Sequence, residues 1–248
     1  VNGDWDHEQF SPPELPRKEW IDAVTPNHPV CVNRFDGHMV LVNSLALKLA
    51  KIGRDTVSPS GGEIVKDSLT GEPTGILKDA ACDLIYAIIP EPSLEEKLAA
   101  VRIALQEAAS HGVTSIHDMS DLSSFEVYQI LRQKGELTAR LYVYDQISDL
   151  DNFLQLKEKS GSGDQFLRLA GLKGFIDGSL GSSTAYFFKP YSDEPGNCGL
   201  LASHMYPEGI MEKRLFRADQ AGCQVAVHAI GDWANALILD LYQKVFEQ

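Results

Sequence analysis

The sequence predicts an α/β fold, a parallel β-sheet with helical crossovers entered through a separate α+β segment. Three observations predict it. From residue 93 onward, strand-like apolar runs alternate with amphipathic helical ones in the order αβαβαβ, long loop, αβα, and that alternation gives a parallel sheet with right-handed connections. Two of the strands deliver a chemically notable residue near their C-terminal ends, as strands do on the working rim of a βα barrel. These are Lys173 in Gly171-Leu172-Lys173-Gly174-Phe175-Ile176-Asp177 and His228 in Val225-Ala226-Val227-His228. Before residue 93 the texture differs, with Pro12, Pro13, Pro16, Pro26 and Pro29 among short runs of both periods. Four strands leave a closed barrel and an open doubly wound sheet both open; by length they make about half a barrel.

The elements follow in order. Residues 1–30 read as a loop-dominated entry with a short helix over Arg17–Val24. Val30–Phe35 reads as a strand ending at Asp36-Gly37-His38, and Asn43-Ser44 as the cap of a helix over Leu45–Ile52, whose Leu45, Leu49 and Ile52 share a face. Gly61–Asp67 and Leu69–Leu77 read as a β-hairpin, and Asp79–Ile89 as a helix stopped by Pro90 and Pro92. Ser93 with Glu96 three positions on has capping-box spacing, so a helix runs from there to about Ser110. Strands are then expected over Val113–Asp118, Ala139–Tyr144, Phe166–Ile176 and Val225–His228. Helices are expected over Phe125–Lys134, Leu150–Lys159, from Pro207 to Ala221, and from a capping Asp232 onward. The division is therefore 1–92, an α+β segment, and 93–248, the parallel α/β part.

Composition narrows the partners. The 248 residues are 44% hydrophobic and 23% charged, enough for one large domain or two small ones. The formal charge of -13, from 22 basic and 35 acidic residues without a basic cluster, argues against nucleic acid and anionic membranes. Cys31, Cys82, Cys198 and Cys223 are widely spaced, so structural zinc and a disulfide framework are not expected. No run is long enough to span a bilayer and no leader precedes the first strand, which points to an intracellular, cytoplasmic protein without membrane insertion. The chain starts at Val1 and stops at Gln248 inside an expected helix, so both ends are expected to be cut.

Candidate site residues come from the strand ends. In a strand residues two apart share a face, so Leu169, Gly171, Lys173 and Phe175 are expected to point one way. A lysine there either reaches water with its head or has its charge paired, coordinated or removed. As an ammonium it has no lone pair for a metal; neutral or carboxylated by CO2, it has. His228 is either a satisfied core histidine or a metal ligand. Asp177 is a turn former, a substrate contact or a support behind the ligands, and Asp232 is most simply a helix cap. His117-Asp118 repeats the strand-end pattern, and His38 is a candidate substrate contact on the N-terminal segment. The turn Gly178-Ser179-Leu180-Gly181-Ser182-Ser183 is glycine-rich but lacks phosphate-loop spacing.

Taken together these motifs resemble the YtcJ-like amidohydrolases (amidohydrolase family 3), including the plant members named for a far-red light phenotype. The resemblance rests on Asp36-Gly37-His38 with Asn43–Leu47, Gly61–Ile64 with Gly71–Leu77, and Gly112–Asp118. It continues through Lys173–Ser182, Pro195–Leu201 and Val225–Asp232, in order along nearly the whole chain. It implies part of a distorted TIM (β/α) barrel, about strands 2 to 5, with the α+β segment of residues 1–92 inserted as a cap. It also implies metal-dependent hydrolysis of non-peptide C–N bonds in a small-molecule amide, with one or two divalent metals, zinc foremost. By the same resemblance Lys173 is the carboxylated lysine and His228 the metal ligand from the next strand. The family's H-x-H pair, sixth-strand histidine and eighth-strand aspartate have no counterpart in this chain. The expectation is thus a segment holding part of the site, completed by an oligomer or complementing chain. The alternative is a truncated, non-catalytic member acting as a regulatory or interaction protein.

Overall fold

The computed structural model describes residues 3–119 and 121–247, and they form two compact units. The first comprises residues 1–89, 175–207 and 229–239; the second comprises 90–174, 208–228 and 240–248. The change of texture at Ser93 falls beside the junction at Ile89, and two later segments, after the Lys173 and His228 strands, join the first unit.

The first unit is built on a four-stranded antiparallel sheet. Its elements are α1 (Glu19–Asp22), β1 (Cys31–Asn33), β2 (Met39–Val42), α2 (Ser44–Leu49), β3 (Gly62–Lys66), β4 (Pro73–Asp79) and α3 (Asp83–Tyr86), with strand order β1-β2-β4-β3. The β3–β4 hairpin and the Asn43 cap, whose side chain accepts from Ala46 N, are where sequence expects them. The strand β2 is not. All four of its residues are buried: Val40 and Val42 pack with Leu47, Leu77 and Ile85, and Met39 and Leu41 with Ile76, Trp5 and Leu15. A strand covered on both faces has no alternation to read. The expected helix over Asp79–Ile89 is shorter, because Asp79 still belongs to β4 and only Asp83–Tyr86 is α-helical.

The second unit holds the parallel sheet. It is formed by α4 (Leu94–Ser110), β5 (Ser115–Asp118), α5 (Phe125–Gln133), β6 (Arg140–Gln146), α6 (Leu150–Ser160), β7 (Leu167–Phe175), α7 (Ile210–Gln220) and β8 (Gln224–His228). The last helix, α8 (Asp232–Phe246), starts in the first unit and ends in the second. The strand order is β5-β6-β7-β8, with β5–β6 and β6–β7 parallel. The capping box of α4 is complete: Ser93 and Glu96 each accept from the other's backbone N–H. The helix expected to open at Pro207 starts instead at Ile210, after Gly209 at φ 78°.

One irregularity changes which residues share a face. Val143 pairs with Leu169 but Tyr144 pairs with Gly171, so Ala170 is an extra residue in β7. Beyond it, Gly171 and Lys173 lie on the face of Tyr144 and Gln146, while Leu169 is on the other face, with Val143, Asp145 and Leu172. The expectation that Leu169 shares the face of Lys173 is therefore corrected by the bulge. Leu169, Val143 and Leu172 line the buried side, where Gly174 abuts Ile147 and Met211 of α7.

Candidate active site

In the second unit the opposite face of the sheet gathers the candidates. Gly174 also abuts Val227 on the helix-covered side, so by strand alternation His228 projects from the other side, the one that carries Lys173. The two thus stand at the C-terminal ends of neighbouring strands, on one face. Closeness of those strands depends on Gly171, where any Cβ would collide with the carbonyl oxygen of Gln224 in β8. Lys173 is half-buried, its Nζ donates to Gly174 O at 3.3 Å, and burial lowers its pKa, favouring the neutral amine that CO2 or a metal requires. His117 lies on the same face, its exposed ring stacked on Tyr142 at 4.9 Å and near Tyr144 at 6.0 Å. Asp118, one residue on, faces the helices instead and accepts from the Tyr128 hydroxyl of α5 at 2.5 Å. The His117-Asp118 pair is split by the pleat.

A metal site needs more than this face provides. Among the described residues no group of three or more His, Cys, Asp or Glu side chains could hold a metal ion. His228 is a donor of the kind a divalent metal takes and Lys173 would become one only when neutral or carboxylated, so the two would make a partial ligand set, short of the three or four that a zinc site uses.

In the first unit Asp177 has a clear structural task. It is 1% exposed, and its carboxylate accepts from Tyr186 N at 2.8 Å, Ile230 N at 3.0 Å and Gly231 N at 2.8 Å, tying together two segments that follow different strands. Asp232, read from sequence as a cap, is the first residue of α8, and its Oδ1 accepts from Phe188 N at 2.9 Å.

His38 belongs to a second polar cluster of this unit. Its Nδ1 is 2.7 Å from Asp79 Oδ1. Burial alone would lower its pKa, but the hydrogen bond and charge of Asp79, with Asp36 and Asp177 in support, outweigh burial and raise it. Asp36 accepts from His38 N at 3.1 Å and from Arg34 Nη1 at 2.6 Å, and Arg34, 3% exposed, also donates to Asp6 at 2.7 Å. The Gly178–Ser183 turn completes the cluster: Ser179 donates to Asp36 at 2.8 Å, and Ser182 bonds the hydroxyls of Ser179 and Thr184. A turn whose hydroxyls are engaged by a carboxylate and by one another is no anion cradle. Asp79 and Arg34 were not singled out from sequence. The available signal for Asp79 was an aspartate closing an apolar strand, the pattern that marks Asp177.

The sequence matches the Amidohydrolase family over residues 1–248, and the chain belongs to that family. It is 40% identical over 257 aligned residues to the Protein LONG AFTER FAR-RED 3 of Arabidopsis thaliana, covering 99% of this chain and 43% of that protein. It is 33% identical to the putative amidohydrolase YtcJ of Bacillus subtilis (strain 168), over 97% of this chain and 45% of the relative. A crystal structure of an uncharacterized metal-dependent hydrolase from Pyrococcus horikoshii superposes with a TM-score of 0.63 at 28% identity, covering 98% of this chain and 46% of that one. The chain therefore spans about half the length of the relatives it matches. The four cysteines are unbridged, and among the described residues no helix is long and apolar enough to cross a membrane.

Proposed function

We propose that this chain carries part of the active site of a metal-dependent hydrolase that cleaves non-peptide C–N bonds in small-molecule amides. Membership of the Amidohydrolase family supports hydrolysis, and the likeness to a metal-dependent hydrolase supports a divalent metal. The observation that carries the reading is Lys173 and His228 on one face at the ends of adjoining strands. In this reading β5 to β8 correspond to about strands 2 to 5 of a distorted TIM barrel, and residues 1–92 are its cap. Lys173 and His228 hold the metal, zinc foremost, beside ligands from a complementing segment or chain, and Lys173 adds CO2 to become a carbamate, losing a proton. When bound, such a metal lowers the pKa of a water and polarises the amide carbonyl. The chain's own part is to fix two ligand positions on rigid strands; His117 flanks them, and His38 is the substrate contact of the cap. A cytoplasmic location completes the reading.

A second reading, a non-catalytic regulatory member, is favoured by the incomplete ligand set among the described residues. One experiment separates them. The purified chain is incubated with zinc and bicarbonate and assayed against a panel of N-substituted formamides and acetamides, beside Lys173→Ala and His228→Ala. Hydrolysis that falls to background in both variants supports the hydrolase. Zinc-independent turnover would overturn the metal-dependent reading, and no turnover with any amide moves the chain to the second reading.

A further inference from the structure

The His38–Asp79 pair breaks local rules in ways that packing does not require. Asp79 sits at φ 46°, in the left-handed region, which residues other than glycine rarely adopt. Its Oδ2 is buried and without a hydrogen-bond partner among the described residues, and so is Nε of Arg34, which braces Asp36 beneath His38. Gly178 lets the backbone pass against that carboxylate: a Cβ there would lie 2.8 Å from Asp79 Oδ2, and one at Gly181 would collide with the Arg34 guanidinium. A partly buried ion pair contributes little to the stability of a fold, since desolvation offsets much of its Coulomb attraction. Strain and unsatisfied polar atoms concentrated around one oriented imidazole are what preorganised functional groups show. His38 keeps 19% of its side chain exposed while Asp79 fixes its Nδ1.

We propose that His38, oriented by Asp79, is the group through which this chain binds a carbonyl or carboxylate oxygen, such as that of the acid released on amide hydrolysis. The choice of ligand rests on the hydrolase reading; the binding itself does not. Asp79 is the positioning residue, and Arg34, Asp36 and Ser179 hold the loop that presents His38.

The test uses the full chain without added metal, so its outcome is independent of whether any amide is hydrolysed. Formate and acetate are titrated at pH 7 while the His38 ring resonances are followed by NMR, with chloride as control. The expected result is a saturable shift with both carboxylates. In His38→Gln affinity falls about 10- to 150-fold, the loss of a hydrogen bond to a charged group. Asp79→Asn, without the charge that offsets burial, loses binding at pH 7 and regains it only in more acid solution, once the ring is protonated. That recovery is a readout a purely structural pair would not give. Equal shifts with chloride, no shift with either carboxylate, or binding at pH 7 undiminished in Asp79→Asn would each overturn the proposal. If Asp79→Asn fails to fold, the comparison of the native chain with His38→Gln decides it alone.

Discussion

Asp145→Asn should make this protein more stable at neutral pH, and the gain should vanish in acid. Asp145 is 3% exposed, near the end of β6 on the helix-covered face of the sheet. Burial, with the charges of Asp149 and Asp121 adding to it, pushes its carboxyl up to about 6 from 3.8, against the backbone N–H of Gln146 that it accepts at 2.9 Å. The unfolded chain releases this proton near pH 4 and the folded chain keeps it to about 6, so the folded state binds more protons in between. Stability therefore falls as pH rises through that window and levels off on either side. At about 1.4 kcal/mol per pH unit the loss amounts to about 3 kcal/mol. Asparagine keeps an oxygen for Gln146 N and never ionises. Urea unfolding of both chains from pH 4 to 7.5 isolates the effect, because every other titrating group cancels in their difference. The variant should gain on the native chain steadily to about pH 6 and then hold its lead. A difference independent of pH, or a variant less stable at pH 7, would refute the reasoning.

Two further predictions concern the strand ends. Asp177→Ala leaves three backbone N–H groups, of Tyr186, Ile230 and Gly231, without the charged acceptor they share, that of Gly231 buried. The cost should be about 3 kcal/mol or more in urea unfolding, with faster hydrogen exchange at Ile230 and Gly231, and a loss below about 1 kcal/mol would contradict the role assigned to it. Gly171→Ala forces a Cβ against Gln224 O and should cost about 1–3 kcal/mol, with exchange protection lost first in β8. Unchanged protection there would mean that β7 and β8 adjust without separating.

Much of this was legible in the sequence because the pattern repeats. The helix α4 announces itself by its capping box and apolar stripe, and the alternation of α4 to α7 with apolar runs makes the parallel sheet readable. The β3–β4 hairpin and the Asn43 cap were readable for the same local reason. What was not readable depends on contacts distant in sequence. The strand β2 is buried on both faces and so has no period. The bulge at Ala170 is set by pairing with β6, and nothing in Leu167–Phe175 announces it. The pleat separates His117 from Asp118, which adjacency in sequence had made one candidate. Asp177 looks like a site residue by position, yet two of its three donors lie more than fifty residues along the chain. Conversely Asp79 was hidden by reading its neighbours as a helix. Strand-end aspartates are ambiguous by nature: the same residue serves a metal, a substrate or a set of backbone amides, and only the partners decide.

The metal site proposed for this chain requires Lys173 and His228 to act together. Calorimetric titration of the metal-free chain with zinc, in bicarbonate buffer, addresses that without needing a substrate. Stoichiometric binding that is lost in both Lys173→Ala and His228→Ala is the expected result. No binding by the native chain, or binding that survives both substitutions, would contradict it.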